Sequence, residues 1–172
     1  MAFQNVKTTV VLKDADSGLA SGEVLFPLQE LRLPSKNSIL RSAFASLESK
    51  DLLSDDGFAI FFFKKNTNEL GTQYSANSIS HAEWRENEFL GAVQVNGAPD
   101  TSALTNLSVA DIMQYGDADS AAKYGAGSLD VALSSQNPDG IIYYAAVINE
   151  VEGTGPVIGA GDIIDFNFSF EY

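Results

Sequence analysis

The sequence has no cysteine, a single histidine and only 10 basic side chains against 23 acidic ones. Without cysteine there can be no disulfide framework, thiol nucleophile, thiolate zinc site or iron–sulfur cluster. One histidine, His81, excludes a metal centre built on several imidazoles and leaves one side chain that ordinarily titrates near neutrality. The shortage of Lys and Arg gives a formal charge of -13. Such a charge repels phosphate backbones and anionic lipid, so neither nucleic acid nor a membrane surface is an expected partner. No apolar run approaches the ~18 residues of a membrane-spanning helix. Met1 to Lys13 lacks the basic head and apolar stretch of a secretory signal, so the chain reads as soluble and not exported by that route.

What is present is ordinary globular material: 172 residues, 45% hydrophobic and 19% charged. A chain of this size buries roughly 70% of its unfolded surface and needs no metal or disulfide to fold. No repeat, low-complexity tract or linker divides it, and it reads as one domain over residues 1–172.

Runs rich in Val, Ile and Phe, punctuated by Gly, Asn, Asp and Pro, recur along the chain, which predicts a mainly β protein. In the closing segment Ile164, Phe166, Phe168, Phe170 and Tyr172 alternate with Asp165, Asn167, Ser169 and Glu171, the pattern of a strand with one apolar and one wet face. Phe58–Phe63 (FAIFFF) has no polar alternate and predicts a central strand buried on both faces. Thr8–Lys13, Glu23–Phe26 and Gly91–Val95 are further strands, and Ser38–Leu47 fits helix and strand, with strand preferred. Leu129, Val131 and Leu133, then Pro138-Asp139-Gly140, then Ile141–Ile148 predict a hairpin closed by a type I turn. Two short helices are expected where a serine precedes an acid by three residues: Ser80 with Glu83, and Ser108 with Asp111 ending at Gly116. The fold class is therefore mainly β, with one or two short helices.

Candidate chemistry is sparse. Asp14 and Asp16 open a calcium-loop pattern that fails at Gly18 and Leu19, and Asp117 and Asp119 are followed by Ala121 and Ala122, which coordinate nothing. His81 lies beside the Ser80–Glu83 box with no flagged nucleophile or orienting acid. Gly153, Gly155, Gly159 and Gly161 precede a strand and lack a lysine, so they suggest a hairpin connection and no phosphate loop. Trp84, Tyr115, Tyr124, Tyr143 and Tyr144 could build a sugar-stacking shelf, although scattered core and rim aromatics are the simpler reading. No catalytic residue, cofactor-binding residue or metal ligand is assigned.

Charge is split along the chain: residues 1–85 hold 9 basic and 10 acidic groups, net -1, and residues 86–172 hold 1 and 13, net -12, which together give -13.

Three segments together resemble a family of small β-rich virion proteins encoded in the structural gene modules of tailed bacteriophages, which decorate or cement the head. They are FAIFFFKKNTNELGT (Phe58–Thr72), SISHAEWRENEFLGAVQV (Ser78–Val95) and GIIYYAAVINEVEGTGPVIGAGDIIDFNFSFEY (Gly140–Tyr172). The likeness covers about residues 42–172, with an insert-like stretch near Ala98–Gly127, and leaves residues 1–37 outside as an added arm or extra strands. It implies a jelly-roll-like antiparallel β-sandwich, non-enzymatic, on the capsid exterior, with the major capsid protein as partner and a dimer or trimer as its own assembly. The alternative is a carbohydrate-binding jelly-roll module; a hydrolase comes third. On the virion reading the less acidic N-terminal region is expected to anchor the protein, and deletion of residues 1–37 to leave a folded core.

Overall fold

The computed structural model describes residues 2–15, 18–47, 57–95, 108–114, 129–150 and 158–172. Among them are nine strands, β1 (Phe3–Val11), β2 (Val24–Arg32), β3 (Asn37–Leu47), β4 (Gly57–Phe63), β5 (Phe89–Val95), β6 (Ser108–Gln114), β7 (Val131–Ser134), β8 (Ile141–Glu150) and β9 (Ile163–Glu171), and one helix, α1 (His81–Glu86). Every pairing is antiparallel. One sheet runs β1-β9-β3-β7 and the other β2-β8-β4-β5. β6 joins them, pairing with β3 through Ser108–Asp111 and with β5 through Ile112–Gln114.

With β6 set aside, the first strand pairs with the last, the second with the last but one, β3 with β7, and β4 with β5. That is one long double hairpin, and winding it up brings β9 against β3 and β8 against β4. The result is a jelly roll, the antiparallel sandwich expected from the sequence.

The core lies between the sheets. Phe166 and Phe168 from β9 meet Phe26, Phe58, Phe62 and Tyr144 from the opposite sheet, with Phe170 beside Phe168, all fully buried. Most rings across the interface meet edge-on, as the aromatic quadrupole favours. The Thr8 hydroxyl lies 3.0 Å from the Tyr144 hydroxyl, so even the outermost strand, β1, is tied across the core to β8. At the open side of the sandwich Gly91 lets β5 approach β7: a Cβ there would stand 2.6 Å from Val131 Cγ1.

Several expectations are corrected. Ser108–Gln114 is a strand and no helix. Its apolar spacing covers barely one helical turn, too short to nucleate unaided, whereas β3 and β5 both offer backbone partners. The Asn137–Gly140 turn does form, with Gly140 N–H donating to Asn137 O at 3.0 Å and Gly140 at φ 74°. It closes no hairpin, however, because β7 and β8 lie in different sheets. The corner is held from outside the turn: Ser135 N–H donates to Lys36 O, Ser135 Oγ to Ile141 O, and Leu33 N–H to Gly140 O. The connection from β8 to β9, which contains Gly159 and Gly161, likewise crosses between sheets; Gly153 and Gly155 lie outside the described residues. Residues within 1–37 form β1, β2 and the start of β3, and Val10, Leu12, Leu25, Phe26, Leu31 and Leu33 enter the core. They are extra strands, one of the two alternatives expected, and form no detachable arm. The charge split is no spatial split either, since each sheet takes two strands from residues 1–85 and two from the remainder.

Candidate interaction face

The two sheets differ on their outward faces. On the β2-β8-β4-β5 sheet, Phe63, Ala145, Val147 and Val24 form a second apolar cluster beneath Leu70, Ile79 and Trp84, which come from the connection between β4 and β5. Trp84 stands edge-on to Phe61 and Phe63, with ring centroids 5.2 and 4.9 Å away, and Phe89 completes the group. Trp84 is aimed there by α1, whose first turn is closed by the expected capping box: Glu83 N–H donates to Ser80 Oγ at 3.3 Å and Ser80 N–H to Glu83 Oε2 at 2.8 Å. The backbone and hydroxyl of Ser80 hold the Glu83 carboxyl below its ordinary range. The connection is pinned by Asn87, fully buried, whose Oδ1 accepts from Thr67 N–H (3.1 Å) and Asn68 N–H (2.9 Å) while Nδ2 donates to Asn68 O (2.7 Å). Glu88, which adopts φ 54°, pairs with Lys65 and with Lys64 at 3.5 Å, and Lys65 lowers its pKa most.

The outward face of the other sheet has no such cover among the described residues. The cross-strand register places Phe3 beside Glu171, Asn5 beside Ser169 and Ser42, Lys7 beside Asn167 and Phe44, and Thr9 beside Asp165 and Ser46. Phe3 (68% exposed), Val11 (64%) and Phe44 (40%) stand on it among small polar groups. The three stand apart from one another along the sheet, Phe3 and Val11 at opposite ends of β1 and Phe44 level with its middle. One end is fixed by charge: Arg41 donates through Nε to Glu171 at 2.5 Å and through Nη1 to Asp130 at 2.8 Å, which balances the nearly buried Glu171 carboxylate. At the other end Thr9 Oγ1 donates to Asp165 at 2.6 Å. In the middle Asn167 keeps Oδ1 buried with no hydrogen-bond partner.

Among the described residues, those singled out from sequence do not converge. Asp14 is an exposed carboxylate just after β1; Asp16, Asp117 and Asp119 lie outside the described residues. Among the described residues no group of three metal-ligating side chains occurs. His81 opens α1 and is exposed. Of the imagined aromatic shelf, Trp84 is tied into the covered face, Tyr144 is in the core with its pKa raised by burial, Tyr143 is half-buried, and Tyr115 and Tyr124 lie outside the described residues. Tyr74 went unremarked: it donates to Lys13 O at 2.7 Å and its pKa is pushed up to about 12, by burial first and by the nearby Asp162 and Asp14 carboxylates. Phe3 and Val11 were also missed, because both alternates of FQNVKTTVV hold apolar residues and no wet face declares itself, and Phe44 because Ser38–Leu47 fits helix and strand alike.

No protein-family model and no curated protein sequence matches the chain. A solved structure of Desmodium yellow mottle tymovirus aligns with 98% of this chain and 85% of its own at 6% identity and a TM-score of 0.27. At that score the superposition is too loose to carry a function across.

Proposed function

We propose that the protein is a non-enzymatic structural component of a tailed-phage particle, a decoration or cement protein that binds the capsid exterior through the outward face of its β1-β9-β3-β7 sheet. The observation that carries the reading is that face, where Phe3, Val11 and Phe44 are exposed over a rigid sheet. The resemblance of Phe58–Thr72, Ser78–Val95 and Gly140–Tyr172 to phage head proteins supplies the context. A face of three long strands measures about 30 by 15 Å, roughly half the ~800 Å2 that each partner contributes to a standard interface. A single contact of that size is weak. On a lattice of equivalent capsomers a small oligomer engages several sites at once, and effective concentration supplies the missing affinity. The partner is then the major capsid protein, and the working location is the virion surface.

The test is occupancy on undecorated heads, measured by cosedimentation and cryo-electron microscopy. Phe44→Asp combined with Phe3→Ser should remove bound density while the soluble protein melts as before. Full occupancy by this double variant would refute the proposed face, and no binding of the unaltered protein to heads would refute the virion role.

A further inference from the structure

β1 and β2 are the outermost strands of their sheets, but among the described residues only one of these edges is protected. The β2 edge contains Pro27 and two register irregularities, and its start is covered by the backbone of residues 74–76: Val24 N–H donates to Ser75 O, Tyr74 N–H to Val24 O, and Glu23 bridges to Ala76. β1 has no proline, no glycine and no bulge, and it pairs with β9 in unbroken register from Phe3 to Val11.

The direction of its free groups follows from the ladder. Ala2 and Tyr172 exchange both N–H···O bonds, at 3.0 Å each, and Leu12 N–H donates to Asp162 O. Because hydrogen-bonded and non-hydrogen-bonded pairs alternate in an antiparallel ladder, the even-numbered residues spend their backbone groups on β9. Phe3, Asn5, Lys7, Thr9 and Val11 therefore aim theirs away from the sheet, and all five side chains are exposed. Lys7 lies at the midpoint of this edge. Its cross-strand neighbour Asn167 is neutral, and among the described residues it forms no ion pair, in a chain whose net charge is -13.

We propose that the β1 edge is a strand-addition site for an extended segment of another protein, running antiparallel to β1, with an acidic residue opposite Lys7. Charge selects this occupant over a second copy. A full-length two-fold pairing of β1 with itself sets Phe3 against Val11 and Asn5 against Thr9, but it also sets Lys7 against Lys7. Like charges directly opposed disfavour that pairing, whereas a carboxylate there favours the foreign strand. Backbone bonds would hold the guest along β1, and Lys7 would choose it. The proposal is independent of the virion reading, since capsid binding through the sheet face can fail while the edge still accepts a strand.

The probe is a nine-residue peptide of alternating valine and threonine with a central glutamate, compared with the same peptide carrying a central lysine, in NMR titrations of the full chain up to millimolar peptide. Before addition, amide exchange on β1 should alternate, slow at even and fast at odd positions. The glutamate peptide should slow the amides of Phe3, Asn5, Lys7, Thr9 and Val11, and should bind about fivefold more tightly than the lysine peptide. Lys7→Glu should reverse that preference. Asn5→Pro removes an N–H that β9 does not use, so it should abolish binding and leave the fold intact. Odd-numbered amides unmoved by either peptide would overturn the proposal, as would affinity indifferent to the central residue. Odd-numbered amides already slow in a protein that sediments as a dimer would give the edge to a second copy and overturn it as well.

Discussion

The outward faces of the two sheets are the same architectural element treated in opposite ways. On β4 both faces are apolar, because Phe58, Ile60 and Phe62 meet the other sheet while Phe61 and Phe63 meet Trp84 and Phe89. On β9 only one face is, and Asp165, Asn167 and Ser169 look outward. A strand in a two-layer sandwich has one dry side, so a strand apolar on both implies a third layer, and here residues 64–88 provide it. A dry-and-wet strand implies none, and among the described residues nothing covers its sheet.

Deletion of residues 1–37 should have the largest effect. It removes β1, β2 and their core side chains, so the expected outcome is a chain with no cooperative unfolding transition by circular dichroism; a sharp transition would mean that the remaining strands suffice. Next comes the core common to both sheets. Phe168→Ala should cost about 3 to 5 kcal/mol in denaturant unfolding, as a buried aromatic does, and a loss below ~1 kcal/mol would show that this face is not core. Trp84→Ala tests the covered face. Because the indole is only half-buried, about 2 kcal/mol is expected, with loss of amide protection confined to residues 64–88.

Alkaline titration reaches the segment that shields β2. Tyr74 ionises near 12 in the folded chain against an ordinary 10.0, so the folded state holds this proton more tightly. Its contribution to stability is complete below pH 10 and is lost as the pH rises from 10 to 12. Tyr74→Phe should therefore show a shallower fall than the unaltered protein over that interval, and parallel curves would disprove the assignment. The smallest effect is expected on the bare face: Phe44→Ser should change stability by no more than ~0.5 kcal/mol, and a cost near that of Trp84→Ala would mean that this face is covered after all.

What could be read from the sequence was whatever local pattern decides. β9, β4 and the α1 capping box declared themselves through period, run length and spacing. Ser38–Leu47 resolves to β3 because its backbone is claimed by β9 on one side and by β7 and β6 on the other. Where nonlocal pairing decides, sequence misled. The strand expected over Glu23–Phe26 runs on to Arg32 past two irregularities, because an edge strand tolerates the missing N–H of Pro27. The Pro138-Asp139-Gly140 turn was correct, but the same turn serves a hairpin or a crossing between sheets, and no local residue distinguishes them. The bare face stayed invisible because Phe3 and Phe44 look like core residues until the neighbouring strand is known.

The pairing of the first strand with the last also has a consequence in time. Phe3 lies opposite Glu171, a separation of 171 − 3 = 168 residues. At a synthesis rate of ~5–20 residues per second, β1 waits on the order of 10 to 30 s for its partner. During that interval β3 too lacks β9, and the side chains that will line the core have nothing to close against. A newly made chain is thus at its most adhesive just before β9 is added, and slower translation across residues 129–162 should lower the soluble yield more than the same delay across residues 1–30.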